Sequence, residues 1–267
     1  MQWAGGRLKT LLVALAYGYF GIGAVVQGVL IMPWVYWVGG GCRWQRRRRC
    51  QALLGRSSRL FHDLLRGFRL VDFSPARMPP ALGIGEGQLQ EPLVVVANHP
   101  TLVDTTAVLA CYPWLVCGVQ WAYARNPLLG PLLFWCGHVP VGSTPDRRAR
   151  AVERLLEALK TGQSLLLFPE GTRSPRGGLG AFNRGAFELA RRANVPVLPL
   201  FISAEPGLLG AGTGPWHVPQ QRRPFVITPL QPIYPDEFLA HSQPSKWLSQ
   251  HVKELFETQA QTGGAPD

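Results

Sequence analysis

The sequence predicts an α/β fold. A mostly parallel central sheet is flanked by helices and preceded by an N-terminal membrane-embedded helix and a basic amphipathic helix. Three observations predict it. From about Arg69 onward, short apolar runs alternate with helical patterns. No charged residue lies between Lys9 and Arg43. An arginine cluster then leads into apolar residues at helical spacing. The boundary falls near residue 68, giving an anchoring segment over 1–68 and a main domain over 69–261.

The uncharged run Leu11–Val38 has Gln27 as its most polar member. About 20 apolar residues cross a bilayer as a helix, so the run is long enough. A secretory signal would have an apolar stretch of about 7–15 residues and a small-residue cleavage site. This run instead ends in Trp34, Tyr36 and Trp37, side chains suited to the membrane interface. Pro33 predicts a kink or a helix end. A full span and insertion into one leaflet both fit.

Arg43 and Arg46 to Arg49 follow, then Arg56, Arg59 and Arg66. Only Arg7, Lys9 and the terminal amine precede the apolar run. The positive-inside rule therefore places the main domain on the cytoplasmic side of an inner (cytoplasmic) membrane. Leu53, Leu54, Leu60, Phe61, Leu64, Leu65 and Phe68 recur at helical spacing. They describe a basic amphipathic helix lying at the headgroup level or a helix packed on the core.

In the main domain, strand-like runs occur at Leu93–Ala97, Leu165–Phe168, Val195–Ile202 and Phe225–Leu230. Helical patterns cover Leu102–Ala110, Asp146–Lys160, Arg184–Ala193 and Lys246–Thr258. Such alternation implies a largely parallel sheet. Pro75–Gln90 is rich in Pro and Gly and reads as a loop. Thr262–Asp267 reads as a disordered end.

Composition narrows the partners. Hydrophobic residues make up 46% and charged residues 16%. About 25% charged is usual for soluble domains, so some apolar surface faces something other than water. The net charge is +11, and only Lys9, Lys160, Lys246 and Lys253 among the 27 basic residues are lysine. Arg-rich codon usage and attraction to anionic lipid headgroups or acidic substrates both account for this. Nucleic acid is not expected, because the basic residues cluster beside the apolar segment and no nucleic-acid-binding signature occurs. The five cysteines include no C-x-x-C pair, which fits neither a disulfide framework nor a zinc site. It fits a reducing, cytosolic environment.

Two stretches carry chemistry. In Asn98-His99-Pro100-Thr101-Leu102-Val103-Asp104 a strand pattern runs out into a helix. The carboxyl end of a strand is where α/β folds present functional groups. A histidine acting as a base needs a partner to fix its tautomer and stabilise the imidazolium. Asp104 can reach back to His99 for this. Alternatively, Thr101 is a helix N-cap, Asp104 a first-turn acid and His99 an ordinary loop residue. Phe168-Pro169-Glu170-Gly171-Thr172-Arg173-Ser174 follows a second strand pattern. It crowds a carboxylate, a flexible glycine, a hydroxyl and a guanidinium fork into one strand exit.

In these residues the chain resembles the glycerolipid acyltransferases, a family that includes 1-acylglycerol-3-phosphate acyltransferases. Asn98–Asp104 looks like the family's His-x4-Asp block, and Phe168–Ser174 matches its Phe-Pro-Glu-Gly-Thr-Arg-Ser block. Val195–Leu200 is similar to its Val-Pro block, and Asn126–Gly130 with Gly137–Val141 to its second block. Phe182–Phe187 is also family-like, so the likeness covers roughly Leu93 to Glu205.

The resemblance implies transfer of an acyl group from acyl-CoA or acyl-ACP to the hydroxyl of a membrane lyso-glycerolipid. The acceptor it implies is 1-acyl-sn-glycerol-3-phosphate, giving phosphatidate. Neither a cofactor nor a metal is expected. His99 is implied as general base and Asp104 as its orienting partner. Glu170, Gly171, Thr172 and Arg173 are implied to bind the acceptor. One departure stands out: the second block usually ends in an Arg that helps hold the acceptor phosphate, where this chain has Gly142-Ser143. Arg125, Arg147 or Arg148 could substitute. Otherwise the acceptor is a specialised lipid, such as a lyso-ornithine lipid or a polyketide-like product. A catalytically silent membrane-attached binding protein is the alternative of another class.

Overall fold

The structure is a computed structural model that describes residues 2–74, 84–85, 88–89, 91–175, 178–204 and 223–262. Helix α1 (Gln2–Val25) runs through a π-helical stretch, Val26–Ile31, into α2 (Met32–Val38). Then come α3 (Arg43–Gly67), β1 (Val71–Ser74), the short β2 (Ile84–Gly85) and β3 (Gln88–Leu89), and β4 (Val94–Ala97). Next are α4 (Asp104–Cys111), β5 (Val116–Gln120), α5 (Trp121–Arg125), α6 (Gly130–Cys136) and β6 (Val139–Val141). The chain continues through α7 (Pro145–Lys160), β7 (Leu165–Leu167), α8 (Gly185–Ala193) and β8 (Val197–Ala204). It closes with β9 (Arg223–Pro229), α9 (Pro235–Leu239) and α10 (Pro244–Thr262).

Seven strands form one sheet in the order β1-β9-β8-β4-β7-β5-β6. All neighbours are parallel except β8 and β9. The expected mostly parallel sheet is therefore present, with its antiparallel step at one side. β4 lies at the centre, with Val95 opposite Leu198 of β8 and Leu166 of β7. Its four residues are all buried, as a strand covered on both faces requires. Val95 and Ala97 enter the core shared with α1, α3 and α4. Val94 and Val96 enter the core under α7, α8 and α10.

This layering makes a crevice. After β4 the chain turns to one face through α4, and after the adjacent β7 it turns to the other through α8. In open α/β sheets the gap between two such exits, at the carboxyl ends of the strands, is where ligands bind.

Helix α3 resolves one of the two readings made for it. Its inner face carries Phe61, His62 and Leu65, all buried, and Phe61 and Leu65 share a core with the sheet. Arg56, Arg59 and Arg66 remain on its exposed side. The helix thus packs its apolar face on the core and turns its basic face outward. Pro33 does not end the N-terminal helix; it sits in the first turn of α2, after the π-helical stretch. Beyond α3, the expected loop Pro75–Gln90 lies mostly outside the described residues, apart from the pair β2–β3. At the C-terminus, Thr262 belongs to α10, and 263–267 fall outside the described residues.

Candidate active site

The exits of β4 and β7 meet at the crevice. His99 Nδ1 lies 2.7 Å from Asp104 Oδ2. Asp104 is the first residue of α4, and its carboxylate accepts two more hydrogen bonds. The Thr101 N–H donates to Oδ2 at 2.7 Å and the Thr101 hydroxyl to Oδ1 at 2.5 Å. Thr101 is therefore not the helix N-cap; it fastens the aspartate. Burial pushes the Asp104 carboxyl upward from its usual range, and the His99 and Thr101 hydrogen bonds oppose that shift. A fully buried carboxylate is tolerated only with such partners. The His99 ring stacks on Phe168, with centroids 4.3 Å apart and planes at 21°. Ring and carboxylate are thereby held in one geometry, with Nδ1 occupied by Asp104.

Glu170 points into the protein. Its Oε1 accepts from the His99 N–H at 3.1 Å and the Ser174 hydroxyl at 2.6 Å, and its Oε2 from the Gly180 N–H at 2.7 Å. Ser174 closes a second link, since its N–H donates to the His99 carbonyl at 2.8 Å. One buried carboxylate thus ties the β7 exit to the backbone of His99. Asn98 anchors the other flank: its amide donates to the Ile202 carbonyl at 2.9 Å and its oxygen accepts the Ile202 N–H at 2.7 Å.

Gly171 adopts φ +71°, which only glycine takes without strain. It turns the chain so that Thr172 and Arg173 face outward, both exposed. Arg125 ends α5, after β5, one strand beyond β7 on the same sheet edge, and is exposed. At the β6 exit the Arg148 fork folds back on the Ser143 carbonyl, at 3.1 and 2.6 Å. The Arg147 guanidinium lies 4.6 Å from the centre of the Trp121 ring.

The structure thus brings His99, Asp104 and Glu170 into one bonded unit, with Gly171, Thr172 and Arg173 at its rim and Arg125 farther along the edge. Sequence reasoning gave no role to Thr101 as a fastener, nor to Phe168, Ser174 or Asn98. All four stand inside the quoted blocks, which was the one available signal. Among the described residues no cluster of three or more His, Cys, Asp and Glu could hold a metal ion.

Residues 77–203, a segment containing both exits, match the family Acyltransferase. That match takes in just under half of the chain. The chloroplastic 1-acyl-sn-glycerol-3-phosphate acyltransferase BAT2 of Brassica napus is 31% identical over 129 residues, 46% of this chain and 36% of its own length. The lysophospholipid acyltransferase LPCAT4 of Mus musculus is 33% identical over 168 residues, 59% of this chain and 30% of its own length. The chain thus spans about a third of the length of these curated relatives. The 1-acyl-sn-glycerophosphate acyltransferase PlsC of Thermotoga maritima has the same fold, with a TM-score of 0.71, 20% identity and full coverage of both chains.

Proposed function

We propose that the chain moves a fatty acyl group from acyl-CoA or acyl-ACP to the hydroxyl of a lyso-glycerolipid, with 1-acyl-sn-glycerol-3-phosphate as acceptor and phosphatidate as product. The observation that carries this reading is the His99–Asp104 pair fixed at the crevice, inside a domain whose relatives are named for that reaction. His99 Nε2 takes the proton of the acceptor hydroxyl, whose oxygen attacks the thioester carbonyl. Asp104 holds the tautomer and stabilises the imidazolium. Collapse of the tetrahedral adduct expels the thiolate, which takes the proton back from His99. No metal or cofactor takes part. Glu170 acts by positioning the His99 backbone, while Arg173 and Thr172 meet the acceptor headgroup. Arg148 or a neighbouring arginine supplies charge where the second block has Ser143.

Thr10–Val38 is long and apolar enough to cross a membrane. It is buried on one side against α3 and α6 and meets lipid through the other, where Ile22, Leu30, Trp34 and Trp37 are exposed. Residues 1–68 serve as the anchor, and the arginines that follow its apolar run hold the domain at an anionic, cytoplasmic leaflet. A specialised acceptor is the second reading, and Gly142-Ser143 is the feature favouring it.

The test incubates the purified full-length protein with acyl-CoA and acyl-ACP and a panel of lyso-lipids, with products read by mass spectrometry. Phosphatidate from lysophosphatidate is the expected product. Acylation of only a phosphate-free acceptor would select the second reading, and no acylated product from any pairing would remove both.

A further inference from the structure

We propose that α6 is a second membrane-inserting element, which places Phe134 and Leu128 in the acyl-chain region of the same leaflet that takes up the N-terminal helix. The inference rests on the membrane part of the reading above and goes beyond it, because α6 belongs to the acyltransferase domain and not to the anchor.

Three observations converge. The first is exposure: Phe134 is 67% exposed and Leu128 50%. Both flank the buried Leu132, which packs with Met32 of the N-terminal helix, so they add to the apolar surface that helix exposes at Leu30, Trp34 and Trp37.

The second is continuity with the N-terminal helix. Met32 donates its N–H to the Gln27 carbonyl five residues back. The next nitrogen in that series belongs to Pro33, which has no hydrogen, so the Gly28 carbonyl lacks its helical donor. Trp135 of α6 supplies one, its indole Nε1 donating to the Gly28 oxygen at 3.0 Å. A Cβ on Gly28 would come within 2.8 Å of the Leu132 nitrogen, so the glycine lets α6 lie directly against the helix. Trp135 also packs on Tyr36, centroids 5.1 Å apart. A helix so fastened goes where the N-terminal helix goes.

The third is charge. Arg46 stacks over the Trp37 ring at 4.9 Å and Arg48 over Trp44 at 4.6 Å. The stem of Arg47 lies over Gly137, just past the end of α6, with its Cδ 2.9 Å from where a Cβ would stand. The apolar prong is rimmed by arginines whose partner is an anionic headgroup layer. A second protein copy offers no reason for such a rim.

The experiment uses the full chain in vesicles of phosphatidylethanolamine and phosphatidylglycerol. Phe134→Cys, in a Cys42→Ser background, carries a polarity-sensitive fluorophore; Gln250→Cys on the exposed side of α10 is the control. The label at 134 should be quenched by lipids brominated on their acyl chains and protected from iodide, with the reverse at 250. A label at 134 open to iodide and blind to bromolipid, on vesicle-bound protein, overturns the proposal and leaves the acyltransferase reading standing. Shielding from both quenchers that falls on dilution assigns the face to a second copy and also overturns it. Protein that binds no vesicles removes this proposal together with membrane attachment, and the product assay still decides the chemistry. Phe134→Asp should lose about tenfold in turnover of vesicle-embedded long-chain acceptor, the value of one buried aromatic side chain. It should keep its rate on a short-chain, water-soluble acceptor, and equal loss on both would overturn the proposal.

Discussion

The exits of β4 and β6 lie at the same edge of the same sheet and are built in opposite ways. At β4 the carboxylate is fully buried, three hydrogen bonds converge on it, and the histidine ring is stacked. At β6 the residues Ser143, Arg147 and Arg148 are exposed and rest on one carbonyl and one indole. On the proposed reading, the difference separates two tasks. Proton transfer tolerates little error in position, so its groups are held by many partners. A charged headgroup arriving from a membrane would meet long side chains that can adjust, and its contacts would then stay at the surface. Substitutions at the β4 exit should therefore act on turnover, and those at the β6 exit weakly and on binding.

The largest effect belongs to His99. His99→Ala should lower kcat by about 10²–10⁴-fold, the usual worth of a general base. Fold and vesicle binding should be unchanged, because the ring is at the crevice and not in the core. Asp104→Asn should keep a small residual rate. Its thermal stability should also fall, since an amide cannot accept from both Thr101 donors and His99 at once. Wild-type-like turnover by His99→Ala would break the comparison at its stronger end.

The β7 exit stands between the two and divides within one motif. Glu170 faces inward and Arg173 outward, three residues apart. Glu170→Gln should reduce kcat and lower the melting temperature, with KM nearly unmoved, because it loosens the His99 backbone. Arg173→Lys should instead raise KM for a phosphate-bearing acceptor about 10–100-fold, the worth of one charge-assisted contact of about 1.5–3 kcal/mol. Kinetics of the two variants side by side test this. A rise in KM alone for Glu170→Gln would return that residue to direct acceptor binding.

How far the sequence displayed all this depends on the range of each interaction. β4, β7, β8 and β9 showed as apolar runs because they are long or covered on both faces. β6 was not visible: it is three residues with Pro140 in the middle, a composition admitted only at a sheet edge, where it lies. β5 includes Gly118, and β1 is an edge strand whose partner, β9, follows some 150 residues later. The dyad was legible because five residues separate its members. The tie from Glu170 to the His99 N–H spans 71 residues. It exists only because β4 and β7 pair in parallel, which no local pattern reveals.

Two histidines away from the crevice sharpen the contrast between chemistry and fold. His62 is buried against Phe73, with Nε2 3.1 Å from the Thr106 hydroxyl. His138 is buried with Nδ1 accepting the Cys117 N–H at 3.1 Å. Burial pushes both down to about 4. Unfolding returns them to about 6.5, so below that pH the unfolded chain binds more protons and stability falls as pH drops from about 6.5 toward 4. Each should cost about 2 kcal/mol by pH 5. Thermal melts between pH 7 and pH 5 should show this decline, and His62→Phe should remove its own share of the slope. An unchanged slope would mean that His62 is not the group titrating.

The smallest effects lie at the exposed arginines, and they carry the information about the acceptor. Arg148 holds its fork beside position 143, where the second block's arginine is missing, while Arg147 is occupied on Trp121 and Arg125 lies at the end of α5. Exposed charge pairs are worth roughly 0.2–1 kcal/mol, so each Gln substitution should change KM for lysophosphatidate by about fivefold or less. Among the three, Arg148→Gln should be the most sensitive, because only its guanidinium is bonded to the backbone of Ser143. On a phosphate-free lyso-lipid all three should behave as wild type. Low salt should widen the difference and high salt should close it, as expected for charges in water. Equal, salt-independent kinetics of all three variants on both acceptors would deny the β6 exit any part in headgroup recognition. The phosphate would then fall to Arg173 alone, or the acceptor would have none.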